Sequence, residues 1–383
     1  FSRSRGLGDV YKRQAEKYLK IKVGEIPEPI ETPNMGLLHP DYDGYFTSPR
    51  DYLNWYQQEK SSNHPLVAVL LYRKHVITKQ PYIPQLIRFF EEQELTPVPI
   101  FINGVEGHVI VRDWLTTTYE TQQRNLGNKE IRSLAKNAIE VDAIVSTIGF
   151  PLVGGPAGSM EAGRQVEVAK RILTAKNIPY IVAAPLLIQD IYSWTRQGIG
   201  GLQSVVLYAL PELDGAIDTV PLGGLVGNDI YIIPERVKRL TGRLKSWINL
   251  RKTETKDRKI AVILYGFPPG YGATGTAALL NVPRSLVKLL RELEKQGYDV
   301  GELPEDGEII INQVKEADEA IITPNNAEEG QATVNVRKLE EWLGYLLKTR
   351  IEKQWKTLTE TGIKTYGDES VSYTHLRAHE TER

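Results

Sequence analysis

Residues 66–72 read LVAVLLY, an uninterrupted apolar run of strand length. A strand that faces water on one side alternates apolar with polar residues, whereas an unbroken run suits a strand buried on both faces, inside a parallel sheet covered by helices. The sequence around it fits that demand. Pro84 opens an expected helix with Leu86, Ile87, Phe89 and Phe90 on one face, and a second strand is expected at 98–102 after Thr96 and Pro97. Further helix–strand pairs are expected at 128–140 with 141–148 and at 161–176 with 180–184. An apolar run at 203–210, a loop holding Gly223, Gly224 and Gly227, and a long helix at 235–250 after Pro234 complete this part. The alternation predicts the α/β class, with mostly parallel sheets and flanking helices.

Residues 260–266, IAVILYG, nearly repeat VAVLLYR at 67–73, and each run is followed by a loop, a proline and a helical pattern. Two or more Rossmann-like units are therefore expected, as a chain of 383 residues permits. The expected organisation is a proline- and aromatic-rich connector at 15–62, an α/β domain at 63–250, a charged linker at 251–258, and a second, incomplete α/β unit with a helical C-terminal part at 259–370. Residues 1–14 and 371–383 show no hydrophobic periodicity and resemble translated adapter sequence, so both read as non-native flanks around an internal fragment.

Composition removes several function classes. No apolar run approaches the roughly 20 residues that span a bilayer, so no transmembrane segment is expected. A formal net charge of −1 with dispersed basic residues lacks the footprint of a nucleic-acid binder. Cysteine is absent, which excludes disulfides, thiolate metal sites and a cysteine nucleophile.

Gly270, Gly272 and Gly275 follow the second apolar run in G-x-G-x-x-G spacing, the pattern that lets a backbone approach a pyrophosphate. Phe267, Pro268 and Pro269 lengthen the entry, and Pro283 would break a helix begun at the loop, so the helix is expected to start near Pro283 and end at Gly297. No Gly-Lys-Ser/Thr follows, which argues against a P-loop. A structural turn or a loop lining a pocket or partner surface remains.

Arg73, Lys74 and His75 stand at the carboxyl end of the first strand, where open α/β sheets bind ligands; simple solvation is the alternative. A neutral histidine moves protons or touches a metal, and the two cations pair with carboxylates. Glu106 and His108, past the next strand, form a weak candidate metal pair on the same rim. The loop at 149–165 carries Glu161 and Arg164 into the next helix, where Glu161 is either a carboxylate favoured by the helix dipole or a proton acceptor holding a hard cation.

Taken together, GYFTSPRDYLNWY, LLYRKHVITKQPYIPQLIRFFEEQELTPVPIF, GFPLVGGPAGSMEAGRQVEVAKRIL and GFPPGYGATGTAALLNVPRSLVKLLRELEKQGYDVG resemble the large-subunit family of magnesium chelatase and cobaltochelatase, on the side of the magnesium enzyme's porphyrin-binding chain. The resemblance covers essentially all of 15–370. It implies ATP-dependent insertion of Mg²⁺ into protoporphyrin IX in chlorophyll synthesis. Porphyrin would be bound by this large subunit, ATP would be hydrolysed by the partner I and D subunits, and the porphyrin-binding protein Gun4 would assist. Localisation would be cytoplasmic in a cyanobacterium-like cell or stromal in a chloroplast. For that chemistry, position rather than the family motif makes Glu161 and then His75 the expected group for proton acceptance or metal delivery, Arg73, Lys74 and Arg164 the partners of the propionates, and Trp194 and Tyr271 the aromatics over the ring. A cobaltochelatase large subunit, a non-catalytic tetrapyrrole carrier or sensor, and a sugar- or nucleotide-binding α/β module are the alternatives.

Overall fold

The LVAVLLY run becomes the middle strand of a five-stranded sheet in the computed structural model, which describes residues 11–22, 32–103, 107–128, 136–154, 162–264, 277, 279–322, 334–335 and 370–371. In chain order the first unit holds β1 (Met35–Leu37), α1 (Pro49–Lys60), β2 (Leu66–Tyr72), α2 (Arg73–Ile77), α3 (Tyr82–Glu92), β3 (Thr96–Ile102), α4 (Gly107–Asp113) and β4 (Leu115–Thr116). It continues with α5 (Thr118–Asn125), β5 (Ile139–Glu140), β6 (Ala143–Ser146), α6 (Ala162–Lys176), β7 (Tyr180–Val182) and α7 (Ile191–Gln197). Then come α8 (Gly201–Ser204), a π-helical turn (Val205–Ala209), α9 (Leu210–Asp214), the hairpin of β8 (Gly223–Val226) and β9 (Asp229–Ile232), and α10 (Pro234–Lys252).

The sheet runs β1-β3-β2-β6-β7. β2 pairs in parallel with β3 on one side and β6 on the other, β7 continues in parallel, and β1 closes the edge of β3 antiparallel. Successive side chains of a strand point to opposite faces. Accordingly Val67, Val69 and Leu71 share a core with Ile83, Leu86 and Phe90 of α3 and with Val237, Leu240 and Leu244 of α10. Ala68 and Leu70 belong to the opposite core, with Tyr52 of α1, Ile110 of α4 and Ala169 of α6. Each fully buried Leu, Ile, Val or Phe contributes about 1.5–3 kcal/mol, so a strand apolar on both faces is stable only with helices on both.

Several expectations change. The stretch read as a connector supplies β1 and α1 to this same unit, and Tyr52 of α1 donates to Pro97 O at 2.7 Å, so 35–60 is part of the layer. The helix expected at 128–140 does not include its last residues: Ile139–Glu140 pair in parallel with Leu115–Thr116, while 129–135 lie outside the described residues. The apolar run at 203–210 is helical, because its outward residues, including Val205 at 48% exposure, have no strand neighbour.

Chain contacts divide the protein into 1–252 and 253–383. The second unit contains α11 (Val282–Lys295), α12 (Gly307–Ile322) and a two-residue antiparallel pairing of Val334–Asn335 with Ser370–Val371. α11 starts as read: Asn281 caps it by accepting from Arg284 N, Pro283 sits in the first turn, and Gly297 follows its end at φ +87°. The expected strand at 260–266 is not one over its described part, since 260–264 carries no regular structure and Ile263 is exposed. An apolar run becomes a strand only where a neighbour takes its backbone hydrogen bonds. Among the described residues the parallel sheet is confined to the first unit.

Candidate functional site at the carboxyl ends of the parallel strands

From β2 the chain moves outward to β3, and afterwards it inserts β6 on the other side of β2. This reversal makes the gap between the carboxyl ends of β2 and β6 the topological switch point, the crevice where such sheets bind ligands. α2 begins at once after Tyr72, so His75 returns toward the strand end and is only 7% exposed. Its Nδ1 lies 2.9 Å from the Tyr82 hydroxyl, which lies 3.4 Å from Thr147 Oγ1, just after β6. Thr147 in turn donates to Leu70 O at 3.0 Å. The two strands at the switch point are thus tied by a side-chain chain that ends on His75. Burial, and secondarily the charge of Lys74, pushes the His75 imidazolium down to about 4, so the ring is neutral at physiological pH. Burial likewise holds Tyr82 well above the usual phenol range, and it stays protonated.

Aromatic rings flank this histidine. Tyr72 meets His75 edge-on at 5.3 Å and Phe150 edge-on at 5.9 Å. The Phe150 loop leaves β6 through Gly149, whose φ of +74° lies in the left-handed region, and where an added Cβ would come 2.7 Å from Leu207 Cδ2. Two residues later the loop is clamped: Leu152 N donates to Asp214 Oδ2 at 2.7 Å, and Leu152 O accepts from His108 N at 3.2 Å. Burial raises the Asp214 carboxyl to about 6 against the opposing effect of the Leu152 hydrogen bond.

Two of the expected site residues are placed near the loop after β6: Tyr72 stands edge-on to both His75 and Phe150, and His108 N donates to Leu152 O. Arg73 is engaged elsewhere: its guanidinium donates to Thr32 O and Pro33 O, holding the segment before β1. Lys74 is exposed on α2. Trp194, in α7, is covered on one face by the Arg236 guanidinium, 5.6 Å from the ring centre. Arg164 lies in the first turn of α6, its side chain outside the description. Glu106, Glu161, Tyr271, Gly270, Gly272 and Gly275 lie outside the described residues. Among the described residues no group of three His, Asp or Glu side chains is placed to hold a metal.

Two polar clusters were not anticipated from the sequence. Lys176, at the end of α6, donates to both carboxylate oxygens of Glu120 at 3.0 Å and to Leu115 O, with both side chains 1% exposed. Thr117–Glu120 does carry the T-x-x-E spacing of a helix start, and Thr117 Oγ1 accepts from Glu120 N at 3.2 Å, but nothing marked Lys176 as its partner. His39, caged by Tyr52, Trp55 and Tyr56, accepts from Asp41 N at Nδ1 and therefore donates from Nε2 to Glu91. That cluster, with Arg88 and Lys60 on Asp41, gathers around the α1–α3 contact and away from the switch point.

A mostly parallel five-stranded sheet packed against helices on both faces defines a protein of the α/β class. The chain belongs to the CobN/magnesium chelatase family, which matches residues 7–377. It is similar to the magnesium-chelatase H subunit of Chlorobaculum parvum, 37% identical over 356 residues that make up 91% of this chain and 26% of that protein. It is 28% identical over 325 residues to the corresponding magnesium-chelatase protein of Rhodobacter capsulatus, covering 79% of this chain and 24% of that protein. To the aerobic cobaltochelatase subunit CobN of Pseudomonas aeruginosa it is 25% identical over 303 residues, 75% of this chain and 21% of that protein. The solved catalytic subunit of cobaltochelatase from Mycobacterium tuberculosis shares the fold, with a TM-score of 0.53 at 24% identity over 81% of this chain and 23% of that one. The chain spans about a quarter of the length of the curated relative from Chlorobaculum parvum.

Proposed function

We propose that this chain is the part of a magnesium chelatase large subunit that presents a proton acceptor to a bound porphyrin. One observation carries the reading: in a member of a tetrapyrrole chelatase family, a histidine kept neutral by burial stands at the switch point of the sheet. Inserting Mg²⁺ into protoporphyrin IX releases two pyrrole protons as the dication enters, so charge balances only if bases take both. His75 accepts one, and Glu161, directly before α6, accepts the other. Mg²⁺ gives up water reluctantly, so a carboxylate at the rim also favours its delivery. Lys74 and Arg164 pair with the propionates. Arg73 contributes whatever donors its carbonyl contacts leave, and Trp194 covers the ring. The loop of Gly270, Gly272 and Gly275 meets the motor subunits.

Magnesium is favoured over cobalt because identity is higher to the magnesium-chelatase protein from Chlorobaculum parvum, 37% against 25%. ATP hydrolysis belongs to the partner I and D subunits, in keeping with a glycine loop that lacks the P-loop lysine. Gun4 assists porphyrin handling, and the complex works in the cytoplasm of a cyanobacterium-like cell or in the chloroplast stroma. The second reading is a cobaltochelatase large subunit, supported by the 25% identity to CobN of Pseudomonas aeruginosa. Reconstitution of the full-length parent with the I and D subunits, MgATP and protoporphyrin IX separates the readings. Appearance of magnesium-porphyrin fluorescence is expected; insertion of Co²⁺ alone would favour the second reading, and porphyrin binding with neither metal inserted would leave a carrier.

A further inference from the structure

We infer that Thr147, acting through Tyr82, fixes His75 in the tautomer with hydrogen on Nδ1 and the lone pair on Nε2, so that both are positioning residues for a proton-accepting imidazole. The argument is a count of hydrogens. Leu70 O is a carbonyl and only accepts, and the Thr147 hydroxyl is closer to it, at 3.0 Å, than to Tyr82, at 3.4 Å. The single hydrogen of Thr147 is therefore spent on Leu70 O, and Thr147 Oγ1 faces Tyr82 as an acceptor. With the Tyr82 hydrogen directed to Thr147, the Tyr82 oxygen accepts from His75 Nδ1–H, and 2.9 Å is the ordinary length of an N–H···O bond. Every contact in the series then has a hydrogen directed along it, the Tyr82–Thr147 contact at 3.4 Å being the long, weak member. With Tyr82 donating to Nδ1 instead, the Tyr82 and Thr147 oxygens would face each other with no hydrogen between them.

Which ring nitrogen carries the proton is set by the bond the other makes. His75 Nε2 has no hydrogen-bond partner among the described residues and is not sealed from solvent, so the lone pair is the part of the ring offered outward. A proton taken up at Nε2 leaves the inner bonds in place, because Nδ1–H, Tyr82 O–H and Thr147 O–H already point in one direction, toward Leu70 O. The charge of Lys74, on the same helix, opposes protonation of the ring and keeps the lone pair free.

The assignment of the tautomer stands on geometry alone; its use in metal insertion rests on the chelatase reading. Nitrogen-15 NMR of the imidazoles in the full chain reads the two separately. Wild-type His75 is expected to show a protonated Nδ1 and an unprotonated Nε2. Thr147→Val keeps the shape but removes the acceptor for Tyr82, and is expected to move the hydrogen to Nε2; Thr147→Ser is expected to restore the wild-type pattern. Tyr82→Phe, which removes the acceptor for Nδ1–H, is the second route to the same shift if Thr147→Val does not fold. In the reconstituted full-length parent, Thr147→Val is expected to lower the insertion rate about tenfold or more with porphyrin affinity unchanged, as loss of a correctly presented base requires. A wild-type ring protonated at Nε2, or a folded Thr147→Val or Tyr82→Phe ring with the wild-type pattern, would overturn the inference. The expected tautomer in a wild-type parent that binds porphyrin and inserts no metal would overturn the chelatase reading and leave the inference standing.

Discussion

Replacing Glu120 with alanine isolates a charge the fold has no other means to neutralise. The Lys176 ammonium is 1% exposed and has four oxygens within reach: two of the Glu120 carboxylate at 3.0 Å, Leu115 O and, at 3.3 Å, Arg112 O. Burial already lowers the Lys176 ammonium from its ordinary range, with Glu120 opposing that fall. Without the carboxylate the two carbonyls remain but the charge is uncompensated, and breaking such a pair costs about 3–5 kcal/mol. That is a large fraction of the roughly 5–15 kcal/mol that holds a domain folded. In urea, with a slope of about 1–3 kcal/mol per molar, the midpoint of the first unit is expected to drop by about 1 M or more, followed by tryptophan fluorescence. The deficit is expected to shrink with rising pH, because a lysine depressed in the folded state binds fewer protons there than in the unfolded chain. Glu120→Leu with Lys176→Met, which removes both charges, is expected to recover most of the loss. A loss below about 1 kcal/mol for Glu120→Ala, or one independent of pH up to the normal lysine range, would refute the reasoning.

Asp214→Asn keeps an acceptor for Leu152 N and removes the buried charge. Because the folded carboxyl is raised to about 6, the wild type loses stability as pH climbs from the unfolded value through 6. The variant is therefore expected to be more stable by roughly 2–3 kcal/mol at pH 8, with the difference vanishing below about pH 4, as thermal melts across pH would show. Gly149→Ala places a side chain at φ +74° against Leu207, and about 1–3 kcal/mol of destabilisation is expected together with weaker porphyrin quenching in the full-length parent. An unchanged melt would mean that the turn after β6 tolerates a side chain.

What could be read from the sequence divides along the range of the interactions. The LVAVLLY run and the α3 face of Leu86, Ile87 and Phe90 are local patterns, and they predicted a strand buried on both sides and the helix covering one of them. His75 was placed at a strand end by the same local reading, but simple solvation was equally open there, and the burial that keeps it neutral comes from the fold. Tyr82, seven residues on, reaches His75 only through the turn between α2 and α3, and Thr147 reaches Tyr82 only when β6 inserts beside β2, so neither was visible. Arg73 looked like a free cation, yet the sequence cannot show that the carbonyls of Thr32 and Pro33 lie within its reach. Proline and aromatic content concealed β1 and α1, whose stability comes from the β3 edge and from Tyr52 reaching Pro97 rather than from their own periodicity. The second apolar run shows the opposite limit, since 260–264 has the composition of a strand without a described partner to pair with.

The most direct test of the central claim is metal insertion by His75→Ala in the full-length parent, reconstituted with the I and D subunits and MgATP and started from pre-bound protoporphyrin IX. If His75 accepts a pyrrole proton at the switch point, insertion is expected to fall about 10²–10⁴-fold while porphyrin quenching keeps its wild-type affinity. Insertion at the wild-type rate with porphyrin fully bound would contradict the account.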